Sequence, residues 1–447
     1  MSHVLGRHCH TKLPTVVAGD GAYLIDKRGK RYLDASGGAA VSCLGHSYTP
    51  VIAATQAQLG RIAYAHTSFF TSEVAENLAA KLCKYSPGQH LQYCYFVSGG
   101  SEAVEAALKL ARQYHLERGD SARCHIISRR QSYHGNTLGA LAAGGNAWRR
   151  QPFLPLLGAS FSHIAPCYRY RDQQPGETDY DYGQRVANAL EQEILRIGAD
   201  KVSAFIAEPV VGATLGAVPA VAGYFTRIRE ICSRYGVLLI LDEVMCGMGR
   251  TGYLYAHQHE QTLPDIVCIA KGLGAGIQPI GATLCTREIF DAIAGGSGFF
   301  QHGHTYLAHP TACATALAVL NALLEDGLIT HCAERGRSLM AQLQNALGDH
   351  PHVGDIRGRG LFIGLELVAE RESKRPFEPG LRIAAQFKQQ AMRNGLMTYP
   401  MSGTVDGKYG DHILLAPPYI IEQAEIDHIV QILHDSLNTT LDAVLRA

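Results

Sequence analysis

A lysine that is to attack a carbonyl must be partly neutral, and a carboxylate kept from water needs a cationic partner. Residues 237–282 meet both conditions. The run Val237-Leu238-Leu239-Ile240-Leu241 has the composition of a strand buried on both faces, and it ends on two carboxylates, Asp242 and Glu243. A second run, Ile266-Val267-Cys268-Ile269-Ala270, delivers Lys271 into the glycine-rich turn Gly272-Leu273-Gly274-Ala275-Gly276. A desolvated lysine has a depressed pKa and adds to carbonyls as the free amine. Pyridoxal phosphate (PLP) would use both groups, with its aldehyde on the lysine and its pyridinium nitrogen on the aspartate. A structural Asp242–Lys271 ion pair accounts for the same two residues, because such pairs also perturb pKa values.

The surrounding elements bring further groups toward these two. Gln92 to Val97 reads as a strand running into Ser98-Gly99-Gly100-Ser101-Glu102, and Ala103, Val104, Ala107, Leu108 and Ala111 then recur at helical spacing. Glycines between a strand and a helix start present backbone N–H groups to an anion, although most such glycines are only turns. The strand His125 to Ser128 leads to Tyr133-His134-Gly135, where the tyrosine is either a core residue or a plate for a planar ring. Val202 to Ala207 forms a strand ending on Glu208. The next helix carries Phe225, Ile228, Ile231, Cys232 and Tyr235 on one face and stops at Gly236. Strand, helix, strand at this length predicts a right-handed crossover in a mostly parallel sheet, whose ligands sit outside the carboxyl ends of the strands. Glu208, Asp242 and Lys271 all occupy such ends, which favours the catalytic reading over the ion pair.

With 447 residues the chain exceeds what one core accommodates, so two domains are expected. Forty basic and forty acidic residues give no net charge, which argues against a nucleic-acid partner. The apolar stretch from Val210 to Phe225 is interrupted by Gly, Thr and Pro, so no membrane span is expected, and Met1 to Gly21 lacks the pattern of a signal peptide. Twelve scattered cysteines without a C-x-x-C pair read as reduced thiols, hence a cytoplasmic location. No metal site is expected: His8-Cys9-His10 lies in an untethered N-terminus, and His302 and His304 lack completing ligands nearby.

Tyr23 to Asp26 and Arg31 to Asp34 read as a hairpin turned by Lys27-Arg28-Gly29, followed by the loop Ser36-Gly37-Gly38. A helix is expected from about Ser72 to Tyr85. Phe69 and Phe70 before it should be buried, more commonly in a core than in an interface. Tyr168 to Arg185, polar and proline-interrupted, reads as a surface excursion. Thr311 to Leu324 is a helix, and beyond it come a helix, Arg357-Gly358-Arg359-Gly360, a strand over Leu361 to Val368, a helix over Leu381 to Asn394 and a strand over His412 to Leu415.

Leu241-Asp242-Glu243-Val244, Ala270-Lys271-Gly272-Leu273 and Pro279-Ile280-Gly281-Ala282, in that order, resemble the class III aminotransferases, PLP enzymes of the aspartate-aminotransferase fold (fold type I). The resemblance runs from about Gly21 to the C-terminus. It implies an α/β large domain over 63–319, with a mostly parallel sheet and helices on both faces, and a smaller α+β domain built from 1–62 and 320–447. It implies that Lys271 carries the cofactor, that Asp242 meets the ring nitrogen, and that Gly100 and Ser101 hold the phosphate. Tyr133 would lie over the ring with His134 beside it, Val244 on the opposite face, and Glu208 at the edge, neutralising a positive side chain when no substrate carboxylate is present. Thr305 would reach the phosphate of the other subunit, and Phe69 would line that subunit's pocket. The assembly would then be a homodimer with composite sites, or a tetramer of such dimers.

Two departures bear on the substrate. Ala40 stands where some amine-accepting relatives carry an aromatic, which would make the pocket roomier. Lys408 stands near the position, before Ala416-Pro417-Pro418, where carboxylate-binding relatives carry arginine; it lacks the guanidinium fork. The expectation is therefore an aminotransferase moving an amino group from a primary amine or ω-amino compound to a 2-oxo acid, pyruvate or 2-oxoglutarate. A decarboxylase, racemase or aminomutase shares the lysine and aspartate and is the alternative. A non-catalytic binding protein on the same fold is a further one.

Overall fold

In the computed structural model, which describes residues 3–7 and 9–446, every residue of the strand Leu238–Asp242 is buried. It lies at the middle of a seven-stranded sheet made of β1 (Leu91–Val97), β2 (His125–Arg129), β3 (Phe161–Ile164), β4 (Val202–Ala207), β5 (Leu238–Asp242), β6 (Ile266–Ile269) and β7 (Gly281–Thr286). The spatial order is β1-β7-β6-β5-β4-β2-β3. β6, β5, β4, β2 and β3 are mutually parallel, and β7 runs antiparallel to both of its neighbours.

The absence of polar alternation in β5 has a direct cause. Side chains alternate faces along a strand, and here both faces are covered by helices. Leu239 and Leu241 pack into one core with Phe225 and Ile228 of the helix Tyr224–Tyr235. Leu238 and Ile240 pack into another with Val104, Ala107 and Ala111 of the helix Gly100–Glu117. Each such side chain contributes about 1.5–3 kcal/mol on burial. The helix Tyr224–Tyr235 ends as expected at Gly236, whose φ of 64° is left-handed and whose N–H bonds the Cys232 carbonyl.

The expected hairpin forms, and its strand Arg31–Asp34 pairs in parallel with Leu396–Met397, so residues near both chain ends share one four-stranded sheet. A second four-stranded sheet orders Val353–Arg359, Phe362–Leu367, Asp411–Leu415 and Tyr399–Ser402. Arg357-Gly358-Arg359 is therefore strand rather than connection.

Two other expectations are corrected, and one helix was not legible in the sequence. Tyr168 to Arg185 is not a surface excursion: Tyr168 and Tyr182 are buried, and Asp179 starts a helix that runs to Ile197. Tyr182, Val186, Leu190 and Ile194 recur every four residues and give that polar stretch one apolar face. The sequence reading also lacked the 23-residue helix Gln423–Leu445, which buries Ile426, Ile429, Leu433 and Leu437. Phe69 and Phe70 are not core residues; they are 78% and 68% exposed.

Among the described residues no single helix is long and apolar enough to cross a membrane, and no group of three metal-ligating side chains occurs. His8 lies outside the described residues; Cys9 and His10 are exposed.

Candidate active site

Parallel strands bring their carboxyl ends to one edge of the sheet. Glu208 follows β4, Asp242 ends β5 and Lys271 lies two residues past β6, so three neighbouring strands place them side by side. They line one cavity of about 350 Å³ together with Gly100, Ser101, Tyr133, His134 and Val244. All eight of these sequence candidates are thus brought together.

Lys271 has a left-handed backbone, φ 47°, uncommon for a residue with a side chain and a small store of strain at the site. Desolvation lowers its pKa to about 8, against the opposing pull of Asp242 and Glu208. No ion pair joins Lys271 to Asp242 among the described residues. The aspartate instead bonds elsewhere: Oδ2 is 2.7 Å from His134 Nδ1, and Oδ1 accepts the Val244 N–H at 3.0 Å. Each carboxylate oxygen keeps a further lone pair, so Asp242 can accept one more donor from the cavity. His134 is buried, and its Nε2 has no partner.

Adjacent Glu243 faces away from the cavity. Its carboxylate accepts the backbone N–H groups of Ala256 and His257 and lies 2.6 Å from His257 Nδ1. Of the two carboxylates at the end of β5, only Asp242 addresses the site.

The turn after β1 has the features of an anion cradle. Gly100 begins an 18-residue helix, so unpaired N–H groups and the positive end of its dipole face the cavity. A Cβ on Gly100 would lie 2.7 Å from Val244 Cγ1, so only glycine permits this approach. Ser101 Oγ accepts the Asn136 N–H at 3.1 Å, which leaves its own hydrogen to donate.

Glu208 is buried, and desolvation raises its pKa, with Asp242 adding to the rise and His134 and Arg129 opposing it. Its carboxylate accepts the backbone N–H groups of Tyr133 and Gly212 at 3.1 and 2.9 Å. The expectation that it neutralises a positive side chain is corrected accordingly: no side-chain cation bonds it among the described residues, and it fixes the backbone of Tyr133.

Four candidates lie outside this cavity. Ala40 is buried among Val210, Ala213, Met245 and Phe362, and the neighbouring Val41 lines the cavity instead. The left-handed Gly37, Gly38 and Ala40 turn the methyl inward, which corrects the expected gain in room at that position. Lys408 is exposed, and its Nζ lies 5.2 Å from the ring centroid of its neighbour Tyr409. It is therefore no part of this cavity. Phe69 and Thr305 sit on a different, exposed surface, where Tyr64 donates to the Thr305 carbonyl at 2.8 Å. The sequence reading missed Val41, Met245 and Gln278 in the cavity wall and Arg149 at its rim. Gln278 adjoins the Pro279-Ile280-Gly281-Ala282 motif, which was its available signal; Arg149 had none.

The donor set fits PLP: an amine of lowered pKa, a carboxylate with a free acceptor position and a helix-end cradle. Comparison with known proteins agrees. The family description "Aminotransferase class-III" matches residues 6–437. An uncharacterized aminotransferase of Schizosaccharomyces pombe is 45% identical over 435 residues, covering 96% of this chain and 94% of that protein. An (S)-enantioselective omega-transaminase from Thermomicrobium roseum superposes with a TM-score of 0.89 at 36% identity, covering 98% of this chain and 96% of the other. An amine transaminase from an uncultivated Pseudomonas species, solved with PLP bound, gives 0.91 at 35% identity and 98% of both chains. Agreement of that extent, with a lysine and an aspartate on adjoining strand ends, means that the chain belongs to the class III aminotransferases and is a PLP-dependent transaminase of fold type I.

Proposed function

We propose that this transaminase takes an amino group from a primary amine or ω-amino compound and passes it to a 2-oxo acid, pyruvate or 2-oxoglutarate, in a ping-pong cycle. The observation that carries the reading is the cavity wall itself, whose only cationic side chain among the described residues is Lys271. The lining residues themselves therefore offer a donor's α-carboxylate no fixed partner. The omega-transaminase and amine transaminase among the structural neighbours support the same class.

Bound in this cavity, PLP supplies an electron sink for the carbanion left at the donor carbon. Lys271 would hold the cofactor's aldehyde carbon, and its neutral amine would move the proton of the donor carbon. Asp242 holds positive charge at the ring nitrogen, and His134 keeps its carboxylate aimed. Tyr133 and Val244 bound the ring, with Tyr133 set by the Glu208 carboxylate. Gly100 and Ser101 take the phosphate. Residues 63–319 form the domain that does this, and 1–62 with 320–447 form the smaller one, a division supported by the pairing of Arg31–Asp34 with Leu396–Met397.

The test is a panel of amine donors against pyruvate and 2-oxoglutarate, reading the amino acid formed. Simple amines are expected to be donors, with one amino acid formed per amine consumed. A strict requirement for α-amino acid donors overturns the donor class. Carbon dioxide release or racemised product without amino transfer moves the protein to another PLP reaction.

The site is completed, on this reading, by a second copy in a two-fold dimer. Phe69, Phe70 and Tyr306 are all exposed, and Tyr64 joins them through its 5.7 Å ring contact with Tyr306 and the cavity it shares with both phenylalanines. An apolar surface of this kind marks an interface. The partner subunit's Thr305 and the partner's Phe69 would then serve this chain's cavity. Mixing inactive Lys271→Ala and Thr305→Asp proteins under subunit exchange is expected to restore activity, because half the sites of a mixed dimer carry neither change. Proven exchange without recovery overturns the composite site.

A further inference from the structure

One guanidinium at the rim of the cavity has no acid. Arg149 lies in the short helix Ala147–Arg150, held by the Asn146 side chain, which accepts the Arg149 N–H at 3.1 Å. Its guanidinium carbon sits 4.6 Å from the centroid of the Tyr133 ring and 5.8 Å from that of Trp148. Tyr133 itself lines the cavity. The Nε of Arg149 is buried and bonded to nothing, and no carboxylate pairs with the group among the described residues. A partly buried guanidinium without an anion is costly to keep. Its charge reaches the cavity: desolvation raises the Tyr133 pKa and lowers that of Lys271, and Arg149 opposes the first shift and adds to the second.

Four other arginines are engaged within the protein, whereas Arg7 is exposed. Arg129 donates to the Glu208 carbonyl, and Arg250 to the carbonyls of Leu361 and Pro417. Arg357 pairs with Glu366, and Arg359 with Glu260, each at 2.6 Å. Arg359 is thus not available to a substrate carboxylate, and Lys408 is solvent-facing.

We propose that Arg149 is the specificity-determining anchor for the carboxylate of the 2-oxo acid acceptor, taken up over the Tyr133 edge of the cavity. This rests on the transaminase reading of the site given above. It explains how a cavity wall without a fixed carboxylate partner accepts a carboxylate-free amine in one half-reaction and a keto acid in the other. Stacking on Tyr133 holds the guanidinium plane, and its free N–H groups offer the paired donors that a carboxylate takes.

The test compares two acceptors, pyruvate and the neutral aldehyde butanal, at a saturating amine donor. Arg149→Met is expected to lower kcat/KM for pyruvate roughly 10- to 100-fold, chiefly through KM, and to leave butanal within about twofold. Arg149→Lys, which keeps the charge without the fork, should fall between. Should Arg149→Met fail to fold, the pyruvate-to-butanal ratio of Arg149→Lys decides: a severalfold fall supports the anchor, and an unchanged ratio overturns it. An equal loss with both acceptors overturns it too, since it would report only the packing on Tyr133. Arg7, exposed and also close enough for its charge to act on Tyr133, is the control; a selective loss of pyruvate in Arg7→Met, absent from Arg149→Met, reassigns the role and overturns the proposal. Wild-type protein that transfers to neither acceptor nor to 2-oxoglutarate overturns the proposed donor-to-keto-acid reaction, and the arginine's role with it.

Discussion

Lys271→Ala is expected to lower turnover by on the order of 10⁴-fold or more, because one side chain serves both as covalent anchor and as proton carrier. The variant should still bind the cofactor, since the cradle at Gly100 and Ser101 and the carboxylate of Asp242 are untouched. Borohydride treatment of the wild-type holoenzyme should leave the cofactor's mass on the peptide that carries Lys271, and label on another lysine would sink the assignment. Burial also sets a pH signature. Desolvation disfavours the ammonium and brings the pKa down from 10.5 to about 8, so the neutral amine dominates above that value. Uptake of PLP by the apo chain should therefore accelerate about tenfold per pH unit below the pKa and level off above it. An uptake rate that is still rising through pH 10 would mean that the lysine is solvated like an ordinary surface residue.

Asp242→Asn is expected to cost at least about a hundredfold in kcat, the scale of removing one preorganised electrostatic contact. The shape is nearly unchanged. An asparagine oxygen can still accept the Val244 N–H, and His134 keeps a polar neighbour in place of the 2.7 Å carboxylate contact. What disappears is the negative charge that holds a proton on the ring nitrogen. Cofactor affinity should change much less than kcat, because the phosphate cradle and Lys271 supply most of the attachment. A variant with near-normal kcat would show that the ring nitrogen does not meet this residue.

The parts of the molecule legible in the sequence are those whose signal is local. The unbroken apolar run of β5 announces a strand covered on both faces, and the alternation of its side chains between two cores is the reason. Gly236 marks a helix end because its left-handed backbone suits glycine. The strand-end positions of Glu208, Asp242 and Lys271 follow from where each apolar run stops, and parallel pairing then brings them to one edge. Resemblance added Gly100, Ser101, Tyr133, His134 and Val244 to them, and all line the same cavity.

What the chain order could not determine is direction and company. Asp242 and Glu243 are chemically alike and adjacent, yet successive residues diverge, and one faces the cavity while the other is bonded by Ala256 and His257. Tyr168 to Arg185 is polar by composition, and only packing of the helix Asp179–Ile197 against Tyr224–Tyr235 shows that Tyr182 belongs inside. Phe69 and Phe70 look like core residues because the sequence states apolarity and not which surface hides it. Arginines are equivalent as letters. Arg359 is spent on Glu260 and Arg149 is left with two aromatic rings and no acid, a difference that arises from what folding places within reach of each guanidinium. The sequence by itself determined the central parallel strands and which residues stand at their ends, because apolar period and chain breaks are local properties. Tertiary structure alone decided which charges are paired and which are free, because a charge's partner is a neighbour in space.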